Sequence, residues 1–231
     1  VGNMIATKGA SNWGFETVPQ EQLDGRRLYQ PRGRGWGGSS AINGMIYMRG
    51  HAKDYDQWRQ MGNEGWDYDS VLPYFKRAED NARGGDDFHG TGGPLKVQDH
   101  AWKPTLAKAM HDAAIEAGIP ENPDFNGATQ EGVGYYQTTI NNSRRWSSAR
   151  AYLKDAKQRK NLTIATSAHA TRVLIENGRA VGVEALQDRH LAFLQVDQGP
   201  PLRIPQLVEL HVERDDLDLG FEVHLVVVRR R

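Results

Sequence analysis

Between Gly33 and Gly50 the chain reads Gly-Arg-Gly-Trp-Gly-Gly-Ser-Ser-Ala-Ile-Asn-Gly-Met-Ile-Tyr-Met-Arg-Gly, with six glycines in eighteen residues. Glycines this dense permit tight turns and let backbone N–H groups approach a bound group closely. Ser39, Ser40 and Asn43 add directional polar contacts. The run also holds Trp36, Ile42, Met45, Ile46, Tyr47 and Met48. A solvated linker does not carry such residues, nor does a disordered segment. The run therefore reads as a loop wrapped round a large polyanionic or heteroaromatic group, not as a chain filling a core.

At 231 residues the chain suffices for one large domain or two modest ones. Lys plus Arg and Asp plus Glu both number 29, so the formal net charge is zero. That balance argues against broad electrostatic binding to nucleic acid or to an anionic membrane. With no cysteine, disulfides, thiolate metal sites and a cysteine nucleophile are all excluded. No apolar run approaches the roughly 18 residues of a membrane span, and no charged-then-apolar leader opens the sequence.

The usual chemical motifs are absent or incomplete. A phosphate-cradling loop needs Gly-Lys-Ser/Thr, whereas the run has Gly37-Gly38-Ser39-Ser40. Gly33 to Gly38 spells Gly-x-Gly-x-x-Gly, but Tyr29-Gln30-Pro31-Arg32 before it is no buried strand, so a Rossmann turn is not assigned. There is no His-Glu-x-x-His, and Asp86, Asp87 and His89 lack a fourth partner at a usual spacing, so no metal site is expected. No Gly-x-Ser-x-Gly supports a hydrolase serine. His51, His89, His100 and His111 read as surface or loop histidines. The charged clusters near Lys76 to Asp80 and Lys154 to Lys160 read as solvated helix faces. Trp58, Trp66, Tyr68, Tyr74 and Phe75 read as core.

Local patterns predict helices and then strands. Residues 1–31 read as loop and short extended pieces anchored by Trp13, Phe15 and Leu23, and a helix-like stretch follows from His51 to Trp58. A helix from about Ser70, capped by Asp69 or Ser70, would hold Pro73 in its first turn and present Val71, Leu72, Phe75 and Ala78. Residues 83–93 and 122–137 read as polar, glycine-rich loops. Another helix, Thr105 to Ala117, gathers Leu106, Met110, Ala113 and Ala114 on one side and stops at Gly118. Ser147 or Ser148 caps a short helix reaching Ala156. Asn161 to Ser167 alternates as a strand. Asn177-Gly178 between 171–176 and 179–184 predicts a hairpin. The fold class expected is mixed α/β, or α+β. Residues 185–231 differ in character, with a possible hairpin across Asp215 to Gly220.

The glycine-rich run, with Tyr47, Gly50 and Asp56 at their offsets, resembles the first signature of the glucose–methanol–choline (GMC) flavin oxidoreductases. Its surroundings are similar too: Asn12-Trp13-Gly14-Phe15-Glu16-Thr17, Gly25-Arg26-Arg27, Asp54-Tyr55-Asp56-Gln57-Trp58, Gly65-Trp66 and Val71-Leu72-Pro73-Tyr74-Phe75 resemble the choline-dehydrogenase-like branch. His89-Gly90, Gly92-Gly93-Pro94-Leu95, Ser147 to Leu153 and Arg179 to Glu184 continue the match, which covers about residues 10–184.

The resemblance implies a partial GMC-type FAD-binding fold and oxidation of a primary alcohol by hydride transfer to the flavin. It implies that Gly37, Gly38, Ser39 and Ser40 line the cofactor, that Asn43, Gly44 and Met45 lie against the flavin and ribityl portion, and that the Val173 backbone meets the adenine. Some members hold the flavin covalently through a histidine just before the motif's asparagine. Ile42 stands there in this chain, so FAD is expected to bind noncovalently. The family's opening strand–Gly-x-Gly-x-x-Gly–helix unit and its C-terminal catalytic histidine are not found here, so no residue of this chain is assigned as the general base. Residues 1–184 are expected to form the partial FAD-binding and substrate-side region, and 185–231 a tail outside the match. The expected partner is a small-molecule alcohol, at a cytoplasmic or peripheral inner-membrane location; the sequence does not identify the electron acceptor. The alternative is a truncated, noncatalytic polypeptide that binds no flavin alone.

Overall fold

The computed structural model describes residues 9–187, 190–195 and 225–228. The chain divides into two compact units, Val1–Ile42 with Leu153–Arg231, and Asn43–Tyr152. The division falls inside the glycine-rich run.

In the first unit, the buried Asn12 side chain ties two stretches together. Its Oδ1 accepts the N–H groups of Gly14 and Arg32, both at 3.1 Å, and its Nδ2 donates to the Tyr29 hydroxyl at 2.8 Å. Beside it, β1 (Phe15–Glu16) pairs antiparallel with β2 (Tyr29–Gln30). Phe15 does not anchor a core as expected. It is exposed and lies flat on Trp13, with ring centroids 5.8 Å apart.

The other described strands of this unit lie after Leu153. The expected hairpin is present and longer than predicted: β8 (Ala168–Glu176) pairs antiparallel with β9 (Arg179–Gln187). Asn177 and Gly178 turn it at φ 49° and 75°, the left-handed geometry that a two-residue turn of this type requires. The small side chains of Ala168 and Ala185 are fully buried along this pair. A further strand, β10 (His190–Gln195), pairs with the other edge of β9. β7 (Leu162–Ala165) pairs antiparallel with β11 (Leu225–Val228). The hairpin anticipated across Asp215 to Gly220 lies outside the described residues.

The second unit begins with α1 (Ala52–Gln60). His51 caps it: its Nδ1 accepts the Lys53 N–H at 3.1 Å while Asp54 Oδ2 accepts the His51 N–H at 2.8 Å, a reciprocal capping box. Tyr55 faces inward from α1, ringed by Trp58, Tyr68 and Phe75 at centroid distances of 5.5, 6.1 and 5.7 Å. Trp58, Trp66 and Tyr74 are themselves exposed, so the aromatic cluster is a partial core only.

α2 (Tyr68–Ala78) starts earlier than its sequence suggested, because Asp67 and not Asp69 or Ser70 is the cap; its Oδ1 accepts the Ser70 N–H at 3.0 Å. Pro73 is consequently inside the helix. It sits on the exposed side, where water can satisfy the carbonyl left without a donor. β3 (Glu79–Asn81) follows at once and pairs parallel with β4 (Leu95–Val97). The loop between them returns against the end of α2 so closely that a Cβ on Gly90 would fall on the Lys76 carbonyl.

α3 (Thr105–Glu116) ends in a Schellman closure, with Ile119 N–H on Ala114 O at 3.0 Å and Gly118 N–H on Ile115 O at 2.9 Å. On its apolar side Leu106 and Met110 are 72% and 67% exposed. β5 (Ile140–Asn141) and β6 (Arg144–Arg145) form a tight hairpin, and a π-type turn, Ala149–Leu153, leads into the short α4 (Lys154–Ala156). Among the described residues ten buried side chains are polar or charged and six are apolar, so hydrogen bonding organises much of the interior. No helix of the described residues is long and apolar enough to cross a membrane.

Candidate functional site

Residues Gly38–Ala41 form a single 3₁₀ turn in the first unit. Gly37 and Gly38 enter it at φ 89° and 53°. The turn is stitched by Gly38 N–H on Gly35 O at 2.9 Å, Ser40 N–H on Gly37 O at 3.1 Å and Ile42 N–H on Ser39 O at 3.1 Å. Both serines brace it: Ser39 Oγ accepts the Gly33 N–H at 3.1 Å, and Ser40 Oγ donates to the Gly37 carbonyl. The fold-back is close enough that a Cβ on Gly33 would collide with the Gly38 carbonyl. On Gly38 itself a Cβ would meet nothing within 4 Å. The inner side of the turn is thus filled by backbone, and the side at Gly38 borders open space.

Asn43, Gly44 and Met45 make a second turn, in the second unit. Asn43 and Gly44 are exposed, and a Cβ on Gly44 also meets nothing within 4 Å. Met45 sits at φ 64°, a left-handed conformation that costs a non-glycine residue about 1–3 kcal/mol. Its neighbours enforce it. Its N–H donates to Asn43 Oδ1 at 3.1 Å, and its carbonyl accepts the Thr139 N–H at 2.8 Å and Oγ1 at 3.3 Å. Arg145 Nη1 lies 2.7 Å from both the Asn43 carbonyl and Asn43 Oδ1. Val173 lies on β8, opposite Val183, and is exposed. Gly37 to Ser40 and Val173 thus belong to one unit and Asn43 to Met45 to the other; within its own unit each set is a surface feature with room beside it.

The strongest polar constellation of the second unit was misread in the sequence. Glu79 is 0% exposed, not part of a solvated helix face, and His89 is buried, not a surface histidine. Glu79 Oε2 meets Arg49 Nη2 at 2.7 Å and the Gly90 N–H at 3.1 Å. Its Oε1 meets His89 Nδ1 and Asn81 Nδ2, each at 2.9 Å. The other face of the imidazole, Nε2, lies 2.9 Å from Asp124 Oδ2. Arg49 also donates to the Phe88 carbonyl at 2.7 Å and stands over the Phe75 ring at 5.2 Å. Asn81 and Gln137 exchange amide hydrogen bonds at 2.9 and 3.1 Å.

Local chemistry delivers each member. Asp86 Oδ1 accepts the N–H groups of Phe88 and His89, bending the loop so that the imidazole points inward. Asn122 Oδ1 takes the Asp124 N–H and Asp124 Oδ1 takes the Asn126 N–H, which folds 122–126 into successive side-chain turns. When His89 is protonated, two cations, Arg49 and His89, face two carboxylates, Glu79 and Asp124, and the cluster closes its own charge. The only sequence cue was the coincidence of helix end, strand and Gly-rich return loop at 79–93, and that cue does not distinguish a buried glutamate from a solvated one.

The electrostatics predict a two-sided pH profile. The hydrogen bond to Glu79 raises the His89 pKa, against the opposing effect of burial, with Asp124 adding to the rise. Burial pushes the Glu79 carboxyl up, but the hydrogen bonds from His89, Asn81 and Gly90 and the Arg49 charge together hold it below its usual value. A raised histidine contributes stability that is full below its unfolded pKa of about 6.5 and is lost as pH climbs through the folded value. A depressed glutamate contributes stability that is full above about 4.3 and is lost as pH falls through the folded value. Unfolding free energy should therefore decline on both sides of that window. His89→Gln should flatten the alkaline side in urea titrations between pH 6 and 9, and an unchanged alkaline slope would contradict the assignment.

An open cleft of about 540 Å³ lies elsewhere in this unit, lined by Met48, Ile119, Phe125, Gln130 and Tyr136 among others, and by none of residues 37–45. Among the described residues no group of three or more His, Asp or Glu side chains is placed to hold a metal ion.

Comparison with known proteins adds the following. A family model described as GMC oxidoreductase matches residues 2–198. An alcohol dehydrogenase (acceptor) of Pseudomonas putida is 48% identical over 198 residues, covering 85% of this chain and 36% of the relative. A mitochondrial choline dehydrogenase of Mus musculus is 44% identical over 204 residues, covering 86% of this chain and 34% of the relative. The crystal structure of pyridoxine 4-oxidase from Mesorbium loti superposes with a TM-score of 0.78 at 34% identity, covering 85% of this chain and 39% of that one. The chain spans about a third of the length of the curated relatives it matches.

Proposed function

From the premise that this chain belongs to the GMC oxidoreductase family, we propose that it is part of an FAD-dependent alcohol dehydrogenase of choline-dehydrogenase type, acting on a small primary alcohol. The observation that carries the reading is the 37–45 stretch, where one turn closed by its own hydrogen bonds and a second held by Thr139 and Arg145 are left open beside Gly38 and Gly44. FAD, when bound, supplies hydride acceptance at its ring N5. The chain's own residues bind and orient. Gly37, Gly38, Ser39 and Ser40 present a pre-shaped backbone with no reorganisation left to make. Asn43, Gly44 and Met45 offer a small-residue face to the ring and ribityl portion, and the Val173 backbone serves the adenine.

Binding is noncovalent in this reading. Ile42, where some members carry the linking histidine, is 3% exposed and has no nucleophilic atom. Proton removal from the alcohol is assigned to no residue of this chain. The test is alcohol-dependent reduction of an artificial dye acceptor by the full-length enzyme of which this chain is proposed to be part, supplied with FAD. Choline or another primary alcohol should support turnover and a tertiary alcohol should not; bound FAD with no turnover on any primary alcohol would contradict the dehydrogenase reading.

A second reading, that this polypeptide alone is noncatalytic and retains no flavin, draws on the apolar side chains left in solvent, Met61, Trp102, Leu106 and Met110 among them. Surface of that kind is characteristic of an interaction face left without its partner.

A further inference from the structure

The Asn43–Met45 turn does not hold itself. Met45 occupies a conformation that L side chains avoid, and the Asn43 side chain is exposed and would rotate freely on its own. Two partners from one short segment fix it. Thr139 grips the Met45 carbonyl through both its N–H and its hydroxyl. Arg145 reaches Asn43 with one guanidinium nitrogen, at 2.7 Å from the backbone carbonyl and 2.7 Å from Oδ1. Asn43 Oδ1 is the same atom that accepts the Met45 N–H. The guanidinium therefore locks the side chain in the rotamer that sustains the turn.

Arg145 is itself well placed to be rigid. It ends the β5–β6 hairpin, paired with Ile140 across a turn whose residues Asn142 and Ser143 both have positive φ. The next residue, Trp146, returns its N–H to Thr139 O at 2.8 Å and its indole N–H to Pro94 O at 2.7 Å. The hairpin is thus anchored on both flanks and presents Arg145 and Thr139 to the turn together. Hydrogen bonds from an ionised donor are roughly twice as strong as neutral ones.

We propose that Arg145 is a positioning residue for the flavin-facing turn: it orders Asn43, Gly44 and Met45 before the cofactor arrives, so that FAD does not bear the entropy of ordering them. The proposal rests on the flavin reading above. Pre-ordering of this kind raises affinity without adding a contact to the ligand.

The test compares the full chain with Arg145→Gln and Arg145→Lys. Amide exchange of Gly44 and Met45 and the FAD dissociation constant, from quenching of flavin fluorescence, are both read. Loss of one charge-assisted hydrogen-bond donor should speed exchange at Met45 by about tenfold and weaken FAD by about tenfold in the glutamine variant. The lysine variant should recover part of both, and exchange in β3, within the buried cluster, should not change. Unaltered Met45 exchange overturns the proposal. So does faster exchange with unaltered FAD affinity, which would make Arg145 a structural residue only. If the unsubstituted chain binds no FAD, the flavin reading fails for this chain and the proposal falls with it. That outcome is seen before any variant is made.

Discussion

Glu79→Ala is expected to destabilise the second unit by about 3–5 kcal/mol, the usual loss when one member of a buried ion pair is removed. The carboxylate is 0% exposed and accepts hydrogen bonds or charge from four groups: Arg49, His89, Asn81 and the Gly90 N–H. Alanine strands the Arg49 cation in an interior that water does not reach. His89 retains Asp124 on its other nitrogen, so the arginine bears most of the cost. Urea unfolding at neutral pH followed by tryptophan fluorescence gives the number. Arg49→Met placed in the same chain should lessen the penalty of Glu79→Ala, because no charge is then left buried without a partner. A loss under about 1 kcal/mol for Glu79→Ala would mean that the cluster is hydrated, contrary to its geometry.

Gly33→Ala is expected to weaken FAD binding by about ten- to a hundredfold, corresponding to the 1–3 kcal/mol typical of an overpacked contact. The added methyl would collide with the Gly38 carbonyl, a backbone atom that cannot rotate aside. The Gly33 N–H to Ser39 Oγ bond must open, and the 37–40 turn must shift. The buried cluster around Glu79 belongs to the other unit, so its pH profile should stay as in the parent chain. A matched control is Gly9→Ala, where a Cβ has no neighbour within 4 Å. Equal FAD affinity in parent and Gly33→Ala would show that the turn's shape is irrelevant to the cofactor.

The parts of this structure that were legible in the sequence are those set by local chemistry. Asn177-Gly178 announced the hairpin because few other pairs accept its dihedral angles, and Gly118 marked the end of α3 for the same reason. The glycine-rich run disclosed the family because its spelling is tied to a backbone shape. What escaped was decided by distant contacts. Asp67 took the cap of α2 although Asp69 and Ser70 were chemically equal candidates, and Pro73 was tolerated inside the helix because its side of the helix faces water. Glu79 and His89 looked like ordinary polar residues. Their burial depends on Arg49, thirty residues before Glu79, and on Asp124, thirty-five after His89, which no local pattern encodes. Leu106 and Met110 show the converse: a helical apolar stripe states what a helix can bury, not whether the described residues provide a surface to bury it against.

Retention of FAD by the purified chain tests the central claim most directly. After incubation with excess cofactor and gel filtration, flavin absorbance near 450 nm should travel with the folded protein, and denaturation with trichloroacetic acid should release all of it into the supernatant, as noncovalent binding requires. Well-folded protein eluting free of flavin would contradict the account, and flavin left in the protein pellet would contradict the noncovalent mode.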